Sequence, residues 1–137
     1  MHITLEADYA VRIVHCLAAA KGQRQEAKTI AESTGVTLRF SLKILRKLVA
    51  GGLVNSFKGT RGGYELAVSP EELTLYDVLT TVEGPYALSR CVLPDYECSH
   101  SQEGSCRCCE CKFNAIYDEI SQMVRDKLAS VKFSDLV

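Results

Sequence analysis

No stretch of this chain is apolar for long enough to cross a bilayer, which excludes a spanning helix. The N-terminus has no basic segment followed by an apolar core, so no secretory leader is expected and the cytoplasm is the expected location. There is no internal repeat, and no low-complexity tract apart from one cysteine-rich stretch. His15, Ser33 and the carboxylates show no spacing that assembles a nucleophile with its base, so the chain is not read as an enzyme. Net charge is also scarce, at −1.

That near-neutrality hides an asymmetry. Residues 1–70 carry ten Lys and Arg against five Asp and Glu, whereas residues 71–137 carry six against twelve. A basic half beside an acidic half suits a nucleic-acid-binding module joined to a sensing or assembly module, although clustering by chance gives the same totals. The 137 residues are 47% hydrophobic, enough for a core that does not need disulfides in its place.

Apolar residues at Ala10, Ile13, Val14 and Leu17 predict a helix over 8–20, with Asp8 near its start and Cys16 as a small core side chain. A short helix is expected over Ala27 to Ser33. Gly35 suits the position past its end, where a positive φ is often needed. Thr37 can cap a second helix, Leu38 to Ala50, which makes the pair a helix-turn-helix. Its apolar face is read as Leu38, Leu42, Leu45, Leu48 and Val49. Arg39, Lys43, Arg46 and Lys47 make a basic face, the first three at i, i+4 and i+7. Such a stripe is often only a solvated face, but on the second helix of this motif it faces the major groove. Arg39, Phe40 and Lys43 would lie nearest base edges, while Arg46 and Lys47 would meet phosphates.

The segment "LVNSFKGTRGGYELAV" reads as strand, glycine-rich turn, strand. A hairpin after a helix-turn-helix is a wing, and its tip carries Lys58 and Arg61 toward phosphates or the minor groove. Thr74 and Asp77 form a capping pattern for a helix over Leu75 to Glu83, which stops at Gly84-Pro85. The last expected helix, Lys112 to Val131, has an apolar stripe from Phe113 through Ile116, Ile120 and Met123 to Val131. One short chain cannot easily cover that stripe, so the helix is expected to pair with its copy or another subunit. The fold class is mainly α with a small β wing: a winged helix-turn-helix domain (1–70), then a cysteine-rich segment and dimerisation helix (71–137).

Five of the seven cysteines fall within "CSHSQEGSCRCCEC", residues 98–111. In a reducing compartment, crowded thiols are metal ligands or redox groups more often than disulfides, and the odd total argues against full pairing. Thiolates hold iron–sulfur clusters, and zinc accepts four of them.

The segments "LEADYAVRIVHCLA", "TIAESTGVTLRFSLKILRKLVAGGLVNSFKGTRGGYELA", "LTLYDVLTTVEGP" and "CKFNAIYDEI" resemble, in order, the bacterial Rrf-type (IscR/NsrR-like) winged-helix regulators. The resemblance implies a homodimer that binds palindromic operators in double-stranded DNA, often as a repressor. It also implies an iron–sulfur cluster on cysteines just before the dimerisation helix. It anchors Cys91 as the first ligand and Cys111 as the last. Cys98 and Cys106 have workable spacings between them, giving a four-thiolate set that favours 4Fe–4S over 2Fe–2S. The rival set has three cysteines and a non-cysteine ligand: Asp8 from the partner copy by likeness to NsrR-like relatives, or, more weakly, His100. Cys108 and Cys109 are possible ligands or redox-active thiols. Asn114 stands where the family motif has a histidine, and Leu42 where close IscR relatives carry glutamate, so the implied operator differs. Alternatives of other kinds are a zinc- or thiol-based regulator without a cluster, a regulator acting through a protein partner, and a small electron carrier. The last has no use for a basic recognition helix and wing.

Overall fold

The computed structural model describes residues 2–98 and 111–137. Five α-helices and one antiparallel hairpin occur among them: α1 (Leu5–Ala19), α2 (Ala27–Thr34), α3 (Leu38–Ala50), β1 (Val54–Phe57), β2 (Gly63–Leu66), α4 (Leu75–Glu83) and α5 (Lys112–Ser130). Single 3-10 turns occupy Arg90–Val92 and Phe133–Asp135. The chain divides into two compact units. One comprises Met1–Gly84 with Leu128–Val137, the other Pro85–Lys127.

In the first unit several helix ends have a local cause. Thr4 caps α1 by accepting a hydrogen bond from the Ala7 amide, so the helix starts at Leu5, three residues before Asp8. Gly35 ends α2 in the left-handed region at φ 70°, which costs glycine little. Thr37 then caps α3 by accepting from the Phe40 amide at 3.3 Å. Thr74 and Asp77 form a reciprocal capping box on α4, as their spacing predicts.

The core of this unit gathers one face of each helix. Ile13 and Val14 of α1, Ile30 of α2, Ile44, Leu45 and Leu48 of α3, and Val78 of α4 are all buried. Each side chain of this size contributes about 1.5–3 kcal/mol on burial. Phe133, fully buried, completes the core from the C-terminal end of the chain. Three backbone hydrogen bonds hold that end: Leu75 N to Val131 O (3.0 Å), Phe133 N to Leu73 O (3.0 Å) and Ser134 N to Pro70 O (2.9 Å). Cys16 is half-buried on α1, where desolvation raises its thiol pKa despite a hydrogen bond with Ser33.

β1 and β2 pair in the register Val54↔Leu66 to Phe57↔Gly63. A third segment adds to this hairpin. Gln25, just before α2, exchanges two backbone hydrogen bonds with Tyr64, at 2.9 and 2.8 Å. Gly63 lies beside it at φ 137°, and a Cβ there would come within 2.8 Å of the Gln25 carbonyl oxygen. Only glycine fits this crossing.

In the second unit, the only buried residue of α5 up to Lys127 is Ser121, whose hydroxyl donates to Tyr117 O (2.6 Å) and accepts from the Leu88 amide (2.9 Å). Arg125 adds a bond to Tyr86 O at 3.1 Å. The apolar stripe of α5 is uncovered: Phe113 is 69% exposed, Ile116 52% and Met123 64%.

Candidate nucleic-acid interface and thiolate residues

α3 presents two kinds of side chain outward. Arg39, Lys43 and Arg46 are exposed. Leu38 (44% exposed) and Leu42 (37%) are exposed beside them, which corrects their placement on the inward face. The inward face is instead Ser41, Ile44, Leu45 and Leu48. The 41, 44, 45, 48 row has helical spacing, and its small polar Ser41 disguised it; the more hydrophobic 38, 42, 45 row drew the assignment. Leu38 and Leu42 line an open groove together with Thr37, Arg39, Phe40, Lys43 and Arg46.

The cations of α3 are not equivalent. Glu6 of α1 lies 2.8 Å from Lys47 Nζ and 3.5 Å from Lys43 Nζ. The hydrogen bond from Lys47 is the main reason that the Glu6 carboxyl titrates below its ordinary value. Lys47 is thus tied within the protein, whereas no ion pair is found for Arg39 or Arg46 among the described residues. Phe40 packs edge-on against Tyr9 of α1, with ring centroids 5.6 Å apart, so it braces α3 as well as facing the groove. Asp8 pairs with Arg12 one turn on, at 2.7 Å.

The wing exposes Lys58 and Arg61 as its sequence predicts. An arginine that composition alone did not single out holds the hairpin. The guanidinium of Arg24 lies 3.4 Å from the centroid of Phe57 on β1. It donates to the Arg61 carbonyl at 3.1 Å and approaches Glu65 of β2 at 3.8 Å. No local spacing signals this role, because Arg24 and Arg61 meet only through the fold.

Of the thiolate candidates, Cys91 and Cys98 are half-buried and Cys111 is exposed. Cys106, Cys108 and Cys109 lie outside the described residues, as does His100. Cys91 sits in the 3-10 turn capped by Ser89, with its Sγ 3.3 Å from Ser89 Oγ. Hydrogen bonding to Ser89, and then to Asn114, holds this thiol below its usual range. Asn114 also donates to the Cys91 carbonyl at 2.8 Å, so its amide clamps the backbone of the first candidate ligand. Among the described residues, no three His, Cys, Asp or Glu side chains converge on a common metal position.

The family model "Rrf2: Iron-dependent Transcriptional regulator" matches residues 3–137. The chain belongs to the Rrf2 family. Protein aau3 of Rhizobium meliloti is 35% identical over 91 residues, which cover 66% of this chain and 59% of that protein. The HTH-type transcriptional regulator IscR of Aliivibrio salmonicida is 26% identical over 108 residues, covering 79% of this chain and 60% of the relative. The chain thus spans less than two thirds of the length of these two relatives. Among solved structures, CymR (YrzC), the global cysteine regulator of B. subtilis, superposes with a TM-score of 0.74 at 23% identity, covering 99% of this chain and 95% of its own. T. potens IscR gives 0.73 at 21% identity, with 99% and 85% covered. These two likenesses show the winged-helix fold expected from the sequence. The chain is therefore a member of a family described as transcriptional regulators, and among the described residues no helix is long and apolar enough to cross a membrane.

Proposed function

We propose that two copies of this Rrf2 chain form a cytoplasmic, non-enzymatic regulator. It binds a palindromic operator in double-stranded DNA, usually as a repressor, under the control of an iron–sulfur cluster. Residues 1–70 read DNA and residues 71–137 sense and assemble. The observation that carries the reading is one pattern. A capped recognition helix and an anchored wing expose Arg39, Arg46, Lys58 and Arg61, while α5 leaves its apolar stripe uncovered. Pairing of two α5 stripes covers Phe113, Ile116 and Met123 and sets two α3 helices as a symmetric pair, the geometry that a palindrome requires. Arg39 lies toward base edges with Thr37 and Phe40. Arg46, Lys43, Lys58 and Arg61 neutralise phosphates, and Lys47 joins them where DNA displaces Glu6.

The donor chemistry fits a cluster. Cys91, Cys98, Cys106 and Cys111 are soft thiolate donors, and the environment of Cys91 favours the thiolate that iron requires. When bound, such a cluster supplies sensitivity to iron, oxidants or nitric oxide, with 4Fe–4S preferred over 2Fe–2S. In the rival arrangement Asp8 of the partner copy completes a three-cysteine set, at the expense of its pairing with Arg12, and Cys108 and Cys109 are spare thiols. Engaging Cys111, the residue just before α5, changes how that helix begins and so biases the population of DNA-competent dimers. The test is anaerobic purification with iron and sulfide counts, a visible spectrum and operator binding. The expected preparation is coloured, and Cys111→Ser loses both the colour and the dependence of binding on iron. A colourless, metal-poor preparation with ordinary operator binding overturns the cluster reading.

A second reading keeps the DNA-binding head and replaces the cluster with thiol chemistry or zinc. It is favoured by the low-titrating Cys91 thiol and by Asn114, whose amide is used in a backbone clamp. Under this reading, mild oxidation of metal-free protein changes operator affinity.

A further inference from the structure

Two exposed leucines occupy the middle of a surface otherwise built for a polyanion. Leu38 and Leu42 stand at i and i+4 in the first half of α3, 44% and 37% exposed, flanked by Arg39, Lys43 and Arg46 along one groove. They are not spill-over from the core, because α3 fills its core face with Ser41, Ile44, Leu45 and Leu48. An apolar protein partner would cover the leucines but leave Arg39 and Arg46 at the rim without counter-charge. A duplex satisfies both features. Its phosphates suit the cations, and its major groove displays one apolar group among the base edges, the C5 methyl of thymine.

We propose that Leu38 and Leu42 are sequence-reading residues that pack against thymine methyl groups, so that each half-site carries T·A pairs where the first two turns of α3 enter the groove. The N-terminal part of a recognition helix lies closest to base edges, which places these two positions at readable depth. Arg39, adjacent to Leu38, supplies the polar contact beside them. This assignment rests on the DNA-binding reading above and adds a base preference to it.

The two can be tested apart with full-length, anaerobically purified protein. Duplexes bound from a random pool are selected, and each thymine of a recovered site is then replaced singly by uracil, which removes only the methyl group. Uracil is expected to weaken binding about four-fold at one or more positions in each half-site, the order set by one buried methyl. In Leu38→Ala or Leu42→Ala protein the penalty at the matching position disappears, while in Arg39→Ala protein it persists. Because both leucines are exposed, unchanged far-ultraviolet circular dichroism is expected for either variant. If uracil and thymine bind alike at every position, or if the penalty survives both leucine substitutions, the thymine assignment is wrong while DNA binding stands. If no duplex is enriched, both readings fall.

Discussion

The two compact units of this chain solve opposite problems. The larger closes on itself: four helices and Phe133 bury a continuous core, and its exterior carries the cationic face of α3 and a wing. The smaller buries little of α5 beyond Ser121 and turns Phe113, Ile116 and Met123 outward. A polar hub at the centre of a helix with an apolar exterior inverts the usual arrangement. Its apolar stripe is left for another surface to cover, whereas the larger unit buries most of its own apolar side chains in a continuous core.

The largest effect that sharpens this contrast lies in the head. Phe133→Ala removes a fully buried ring and is expected to destabilise the head by about 3–5 kcal/mol, read as a lower denaturation midpoint. In the smaller unit, Ile116→Glu with Ile120→Glu leaves the single-chain fold intact but weakens self-association at least about a hundredfold, seen as monomer in sedimentation. If that pair instead unfolds the protein and Phe133→Ala does not, the contrast is reversed. A smaller effect is expected for Arg24→Ala. Loss of the stack on Phe57 and the bond to Arg61 O costs about 1 kcal/mol and loosens the wing. Operator affinity should fall in step, and little further when Arg61→Ala is added, because both changes act through the same hairpin.

The smallest effect is electrostatic. The Glu6 carboxyl titrates lower in the folded protein than its ordinary 4.5, chiefly because Lys47 donates to the charged form. A depressed carboxylate stabilises the fold above the unfolded value and loses that contribution as pH falls through the folded value. The stability difference between wild type and Glu6→Gln should therefore be present at neutral pH and vanish in acid. A difference that persists unchanged below the folded value would show that the Lys47 contact is not its source.

Most of the head could be read without coordinates because its signals are local. Thr37 as cap, Gly35 as terminator, the Thr74–Asp77 box and the glycines of the wing each act within a few residues. Three features escaped for the opposite reason. α1 begins at Leu5 because Thr4, not Asp8, marks its start; Thr4 also bonds Glu83 of α4, a partner far away in sequence. Arg24 reaches the wing across the fold. The inward face of α3 departs from the expectation because Leu38 and Leu42, the more hydrophobic residues, are exposed while the small polar Ser41 is buried. The ligand set is the least readable part. Cys91 and Cys111 are anchored only by resemblance, and Cys106, Cys108 and Cys109 lie outside the described residues.

The seating of Phe133 has a consequence for how this protein is made. In chain order, the Phe133 ring that fills the interior of the larger unit follows the cysteine segment and α5. A ribosome must therefore deliver the cysteine segment and all of α5 before the head can close. A nascent chain stalled before Phe133 carries α3 on an open core, so the closed head forms only after the cysteine segment and α5 have been made.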